Sequence, residues 1–154
     1  MRSFVHPMKT FSPLIVMNAV GLLWSASSLA NDAFADRVIR DALPVVFSVD
    51  STRATVEDGE QPHGRLPAND GGSLWWEWKA TRSGIVVVSL AQPDLTKMWG
   101  LSLYRGKMLG FLETVEAVAG PTPSVAISVT SGESFLIAVS GYADIDRGRF
   151  DLRM

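Results

Sequence analysis

Three of the chain's five tryptophans fall within one short stretch, Ser73-Leu74-Trp75-Trp76-Glu77-Trp78-Lys79-Ala80. In an extended chain successive side chains point to opposite sides. Leu74, Trp76, Trp78 and Ala80 then share one face, and Ser73, Trp75, Glu77 and Lys79 the other. Beyond it come Thr81-Arg82-Ser83-Gly84 and the β-branched run Ile85-Val86-Val87-Val88. Aromatics, a polar turn with glycine and then a valine-rich run read as strand, turn and strand rather than as a helix. Burying so much indole area needs a second layer of structure, so this stretch is the strand around which a core is expected to form.

The first thirty residues follow a different logic. Arg2, His6 and Lys9 precede a mainly apolar segment from Phe11 to Trp24, and Ser25-Ala26-Ser27-Ser28-Leu29-Ala30 closes it. That three-part order, with small Ser28 and Ala30 at the two positions a signal peptidase reads, predicts a secretory signal peptide over residues 1–30. Asn18 and Gly21 interrupt the apolar part, which falls short of the roughly 20 residues a membrane span needs. Cleavage after Ala30 leaves one domain, residues 31–154, secreted or periplasmic; the same signal serves both destinations. Arg2 and Lys9 depart with the signal, so of the 14 Lys and Arg residues 12 remain against 16 Asp and Glu. A net charge of −4 argues against nucleic acid and anionic membrane surfaces as partners. The chain has no cysteine. Lipid attachment at the cleavage site is thereby excluded, and packing and sheet pairing must supply the stability that disulfides give many exported domains.

Asn31 and Asp32 give a helix N-cap signal, and Phe34, Val38 and Ala42 lie four apart on one helical face, so a short helix or turn is expected before Pro44. Val45, Phe47 and Val49 alternate as a first strand. Residues 51–72 lose all periodicity. A connection that long without structure of its own is the first place to look for a site. Residues 85–90 are apolar on both faces at first, as a strand deep inside a sandwich is. Trp99, Leu101 and Leu103 alternate into Tyr104. Residues 109–118 are irregular, which predicts a bulged or broken strand. Val125, Ile127 and Val129 alternate cleanly, as do Phe135, Ile137 and Val139, and Phe150 and Leu152 mark a terminal strand. Short alternating strands between Gly- and Pro-bearing turns predict an all-β fold, an antiparallel β-sandwich of about seven to nine strands, with a closed barrel as the alternative.

Glu57, Glu60 and His63, spaced at three and three, together with nearby Asp70, present oxygen and nitrogen atoms of the type that bind metals. They lack the cysteine partners and the His-Glu-x-x-His order of zinc sites. The expectation is therefore no metal and no cofactor, with Glu57 or Glu60 pinning loop amides and His63 hydrogen-bonded near the strand. A serine hydrolase is disfavoured by a single histidine after residue 30 and the absence of a Gly-x-Ser-x-Gly elbow. Glu57 paired with Asp70 or Glu77 leaves a carboxylate-based glycosidase as the remaining enzymatic option. Trp75 and Trp99 are the main binding candidates, since an aromatic surface beside charged side chains stacks on sugar rings or peptides. Their alternative is burial, Trp75 beneath the 51–72 loop and Trp99 in the core or at a sheet edge.

Three blocks also carry a family likeness. They are Asn31-Asp32-Ala33-Phe34-Ala35, then Ala54-Thr55-Val56-Glu57-Asp58-Gly59-Glu60-Gln61-Pro62-His63, and then Ser73 to Ala80 with Ser83-Gly84. In order and spacing the chain resembles the bacterial pre-peptidase C-terminal domain, and further matches run through Leu103-Tyr104-Arg105-Gly106, Ser131 to Tyr142 and Gly148 to Leu152. The resemblance implies a jelly-roll-like β-sandwich of secreted proteins, here without the catalytic domain that it usually accompanies. The family's aromatic-Asp-Thr and Asn-Asp-Asp segments are replaced by Asp94 to Gly100 and Glu113-Thr114-Val115-Glu116, which leaves its acidic, calcium-type segments incomplete. The functional expectation is a non-catalytic exported module that binds a protein, peptide or glycan through Trp75, Trp99, Glu57, Glu60, His63 and Asp70. A structural or assembly subunit that uses a sheet face or edge is the alternative, and a small carboxylate hydrolase the last.

Overall fold

A computed structural model describes residues 31–91 and 94–154. The predicted signal segment lies outside the described residues, as do Gln92 and Pro93. Among the described residues nine strands follow one another: β1 (Val38–Arg40), β2 (Val46–Asp50), β3 (Ser73–Lys79), β4 (Gly84–Ala91), β5 (Trp99–Arg105), β6 (Glu113–Gly120), β7 (Ser124–Val129), β8 (Ser134–Gly141) and β9 (Arg149–Arg153). They form a five-stranded sheet in the order β1-β3-β8-β5-β6 and a four-stranded sheet in the order β2-β9-β4-β7. Every pairing is antiparallel except β1 with β3. The fold is an all-β, jelly-roll-like sandwich. Among the described residues no helix is long and apolar enough to cross a membrane.

The tryptophan strand sits in the body of the larger sheet, between β1 and β8. Leu74, Trp76, Trp78 and Ala80 face the other sheet, as the alternation requires, and are at most 3% exposed. They meet Val88 and Leu90 of β4, Leu101 and Leu103 of β5, Val125, Ile127 and Val129 of β7, Phe135, Ile137 and Val139 of β8, and Phe150 and Leu152 of β9. The ring of Trp76 lies 6.0 Å from that of Phe47 and 6.5 Å, edge-on, from that of Phe150, while Trp78 stacks on Phe135 at 6.1 Å. Each sheet thus contributes alternate residues to one dry layer between them.

Three local expectations meet different outcomes. The irregular stretch 109–118 is a 3-10 turn, Leu109–Phe111, followed by β6, whose register against β5 slips between Leu103 and Tyr104 so that Val115 is bulged out. The N-terminal helical pattern shrinks to a 3-10 turn, Phe34–Asp36, with no side-chain cap. Val38 is instead drawn into β1 beside Trp76, with the guanidinium of Arg37 held at 2.8 Å by Glu77. A sheet edge that satisfies the backbone outcompetes one isolated helical turn. The third expectation, that β4 is covered on both faces, is overturned. Val88 and Leu90 are core, but Ile85 is 76% and Val87 51% exposed, because no element covers the outer face of the four-stranded sheet among the described residues.

Trp76→Ala should cost about 3 to 5 kcal/mol, the usual range for emptying a large aromatic site in a closed core. Chemical denaturation of the variant beside wild type measures it, and a loss below about 1 kcal/mol would mean that the inter-sheet layer is not closed around this ring.

Candidate functional site

The outer face of the five-stranded sheet would be bare if β3, β8 and β5 were its only structure. Trp75 on β3, Leu136 and Ala138 on β8 and Tyr104 on β5 all point that way. All four are nevertheless at most 3% exposed. Residues 51–72 and the N-terminal segment lie over them. Phe34 meets the indole of Trp75 edge-on at 5.2 Å, and His63 meets it edge-on at 4.9 Å. The amide of Trp75, at the end of the ladder, donates to the carbonyl of Asn31 at 2.8 Å.

His63 is the centre of this second core. Its Nε2 lies 2.7 Å from Oε1 of Glu60 and its Nδ1 2.7 Å from the hydroxyl of Tyr104, so both ring nitrogens are engaged. The side chains of Glu60 and His63 are fully shielded from solvent. The second oxygen of Glu60 accepts from the backbone amide of Glu57 at 2.9 Å, and Glu57 in turn accepts from the amide of Phe34 at 2.6 Å. The amide of Gly64 donates to Ser102 Oγ of β5 at 2.7 Å. Two glycines make such close approach possible. Gly64 has φ +63° and lies directly on Gly100 of β5, where a Cβ would stand 2.5 Å from the carbonyl oxygen of His63.

Glutamate, histidine and hydroxyl in series have the composition of a proton relay, but a base needs a free nitrogen facing a reactant. Here both nitrogens and the carboxylate bind protein groups, and the chain serves as an anchor that fastens the loop to the sheet. Burial raises the phenol of Tyr104 above its ordinary 10.0, with the charge of Glu60 adding to the rise and hydrogen bonds from Ser102 and Gln61 opposing it.

Four of the six sequence-predicted site residues therefore do come together, Glu57, Glu60, His63 and Trp75, in a closed core rather than an open site. Trp75 is corrected as a binding surface: it is fully buried beneath the loop. Trp99 is corrected likewise. It lies in the inter-sheet core, fully buried, edge-on to Phe150 at 5.0 Å. Asp70 is exposed and belongs to a different neighbourhood, where its carbonyl accepts from Arg147 at 3.2 Å. Among the described residues no three His, Asp or Glu side chains are grouped so as to hold a metal ion.

The outer face of the four-stranded sheet, by contrast, is open. At one end of its outer face Ser48, Asp50, Arg149, Asp151 and Arg153, with Ala91, line a groove of about 660 Å³. Its charges are matched internally, Asp50 with Arg149 at 3.0 Å and Asp151 with Ser48 at 2.8 Å and Arg153 at 3.4 Å. Hydrogen bonds from the Thr52 hydroxyl and amide, then from Arg149, hold the Asp50 carboxyl below its usual value. The other end is apolar: Ile85 and Val87 of β4 stand beside Ala126 and Ser128 of β7, all exposed. Sequence periodicity did not single out this surface, because a run of β-branched residues reads the same whether one face or both are covered.

No family model matches the chain, and no curated protein does. Among solved structures, the crystal structure of Yersinia pseudotuberculosis-derived mitogen is similar at a TM-score of 0.46 and 11% identity, covering 71% of this chain and 82% of that one.

Trp75→Ala should destabilise by about 3 to 5 kcal/mol, as much as truncation in the inter-sheet core, by the same cavity argument; equilibrium unfolding checks it. A second expectation follows from Tyr104. A phenol whose folded value is raised adds stability that is fully present below its unfolded value and is lost as pH rises through the folded one. Stability should fall above pH 10, and Tyr104→Phe, less stable at neutral pH by about 1 to 3 kcal/mol, should show a shallower alkaline decline. Denaturant melts from pH 8 to 11 compare the two.

Proposed function

We propose that this chain is a non-catalytic, exported β-sandwich module that meets another polypeptide through the bare outer face and free edge of its four-stranded sheet. The observation that carries this reading is the pair Ile85 and Val87, 76% and 51% exposed on one strand, beside the uncharged β7 at the end of the sheet. Isolated exposed apolar residues are ordinary, but neighbouring β-branched residues beside an unpaired edge make a surface suited to another chain. The arrangement of the first thirty residues and the likeness to pre-peptidase C-terminal domains support export and an accessory role.

The sugar-stacking role expected of Trp75 and Trp99 would need both rings exposed, and both are inside. The carboxylates that a hydrolase would use are engaged in holding the fold, Glu57 on the amide of Phe34 and Glu77 on Arg37. The assembly-type reading is therefore better supported than either.

A photo-activated cross-linking residue placed at Val87 tests it in the native host, with the same residue at exposed Arg53 as control. Polypeptide adducts should form from position 87 and not from position 53. Their absence from position 87 would overturn the reading.

A further inference from the structure

The sandwich has four lateral edges, and three of them are blunted. β1 is three residues long and ends in Arg40. β2 is five residues long and ends in the charged Asp50. β6 is broken by its Val115 bulge, carries Glu113, and sets Glu116 opposite the core residue Leu103. Short length, charge, proline and bulges are the devices by which native sheets avoid pairing with other chains. β7 has no charge and no bulge, and proline, Pro121 and Pro123, stands only ahead of its first residue. It runs for six residues, Ser-Val-Ala-Ile-Ser-Val, is hydrogen-bonded on one side only, to β4, and lies in a stretch, residues 117–132, without a single charged side chain.

We propose that β7 pairs antiparallel with β7 of a second copy of this chain, about a two-fold axis at Ala126, joining the two four-stranded sheets into one of eight strands. The inference rests on the proposed function and names the polypeptide that meets this surface. In that register Ala126 faces Ala126 and Ser124 faces Ser128 on the outer side, while Val125 faces Ile127 on the core side. A one-residue slip would set outward residues against inward ones. No charge opposes a charge in this pairing, and the small outer side chains let the strands close without a clash. Val125 and Ile127, at 6% and 8% exposure near the rim of the core, become interior. The apolar strip of Ile85, Val87 and Ala126 stops at the free edge, and the symmetric copy continues it with its own Ala126, Val87 and Ile85. A self-complementary patch that a two-fold axis maps onto itself is the commonest route to a closed homodimer.

The test is the solution mass of the purified protein, by sedimentation equilibrium across a wide concentration range, for wild type, Ala126→Lys, Ala126→Glu and an equimolar mixture of the two variants. Ala126 is exposed, so both variants should fold, which far-ultraviolet circular dichroism checks. Wild type should dimerise. Each variant alone should self-associate about tenfold or more weakly, because like charges meet at the axis, and the mixture should recover a dimer of one Lys and one Glu variant. A wild-type dimer that neither variant weakens overturns the β7 pairing, and so does a wild type that stays monomeric at all concentrations. If the monomeric protein still gives adducts with other polypeptides from position 87, only the second-copy inference falls. If it gives none, the proposed function falls with it.

Discussion

The structure depends on burying both faces of one tryptophan-bearing strand. A strand in a two-layer sandwich has one face covered by the opposite sheet for free, but its other face is left to solvent unless something else is laid over it. In β3 the covered face carries Trp76 and Trp78 and the other carries Trp75. An indole is too large an apolar surface to leave on a strand without cost, at about 25 cal/mol per Å². The 51–72 loop solves this. It is pinned by a buried carboxylate–imidazole–phenol chain at its middle and by glycine backbone against glycine backbone where it crosses β5.

That solution explains why the loop is polar in sequence yet closed in structure. A buried carboxylate or imidazole without partners would cost more than the packing gains, so Glu60, His63 and Tyr104 satisfy one another and Glu60 also takes a loop amide. The same end of the sandwich is tied again by Asp146, which accepts from the amides of Met98 and Ala143, and by Ser51 and Gly148, which bond in both directions. These side-chain ties are thus concentrated at the loop end of the sandwich. The opposite sheet keeps its outer face bare, with Ile85 and Val87 exposed on it.

Much of the fold was legible in the sequence. Alternation placed Leu74, Trp76, Trp78, Leu101, Leu103, Val125, Ile127, Val129 and Phe150 on core faces, because a period of two states which residues share a side. The loop was legible as a loop, and a hydrogen-bonded His63 with Glu57 or Glu60 on backbone amides was among the roles expected for it. What periodicity does not contain is the path of an aperiodic segment in space. Whether Trp75 faced water or the underside of residues 51–72 depended on that path, and so the binding role expected for it failed, as it did for Trp99. The exposure of Ile85 and Val87 was hidden for the converse reason: four β-branched residues in succession satisfy strand propensity alone, whatever lies above them. The parallel β1 was hidden because three residues are too few to show any period against a stronger helix-cap signal.

Native-state hydrogen exchange tests the central claim most directly. The amide of Gly64 is the reporter, since it is buried and donates to Ser102 across the loop–sheet boundary. If the loop is a fixed wall of the second core, Gly64 should exchange through the same large opening event as the β3 and β8 amides beside Trp75, with comparable protection. If Gly64 and its neighbours exchange at the rate of unprotected amides while β3 stays protected, the loop is not what covers Trp75 and the account of two closed faces is wrong.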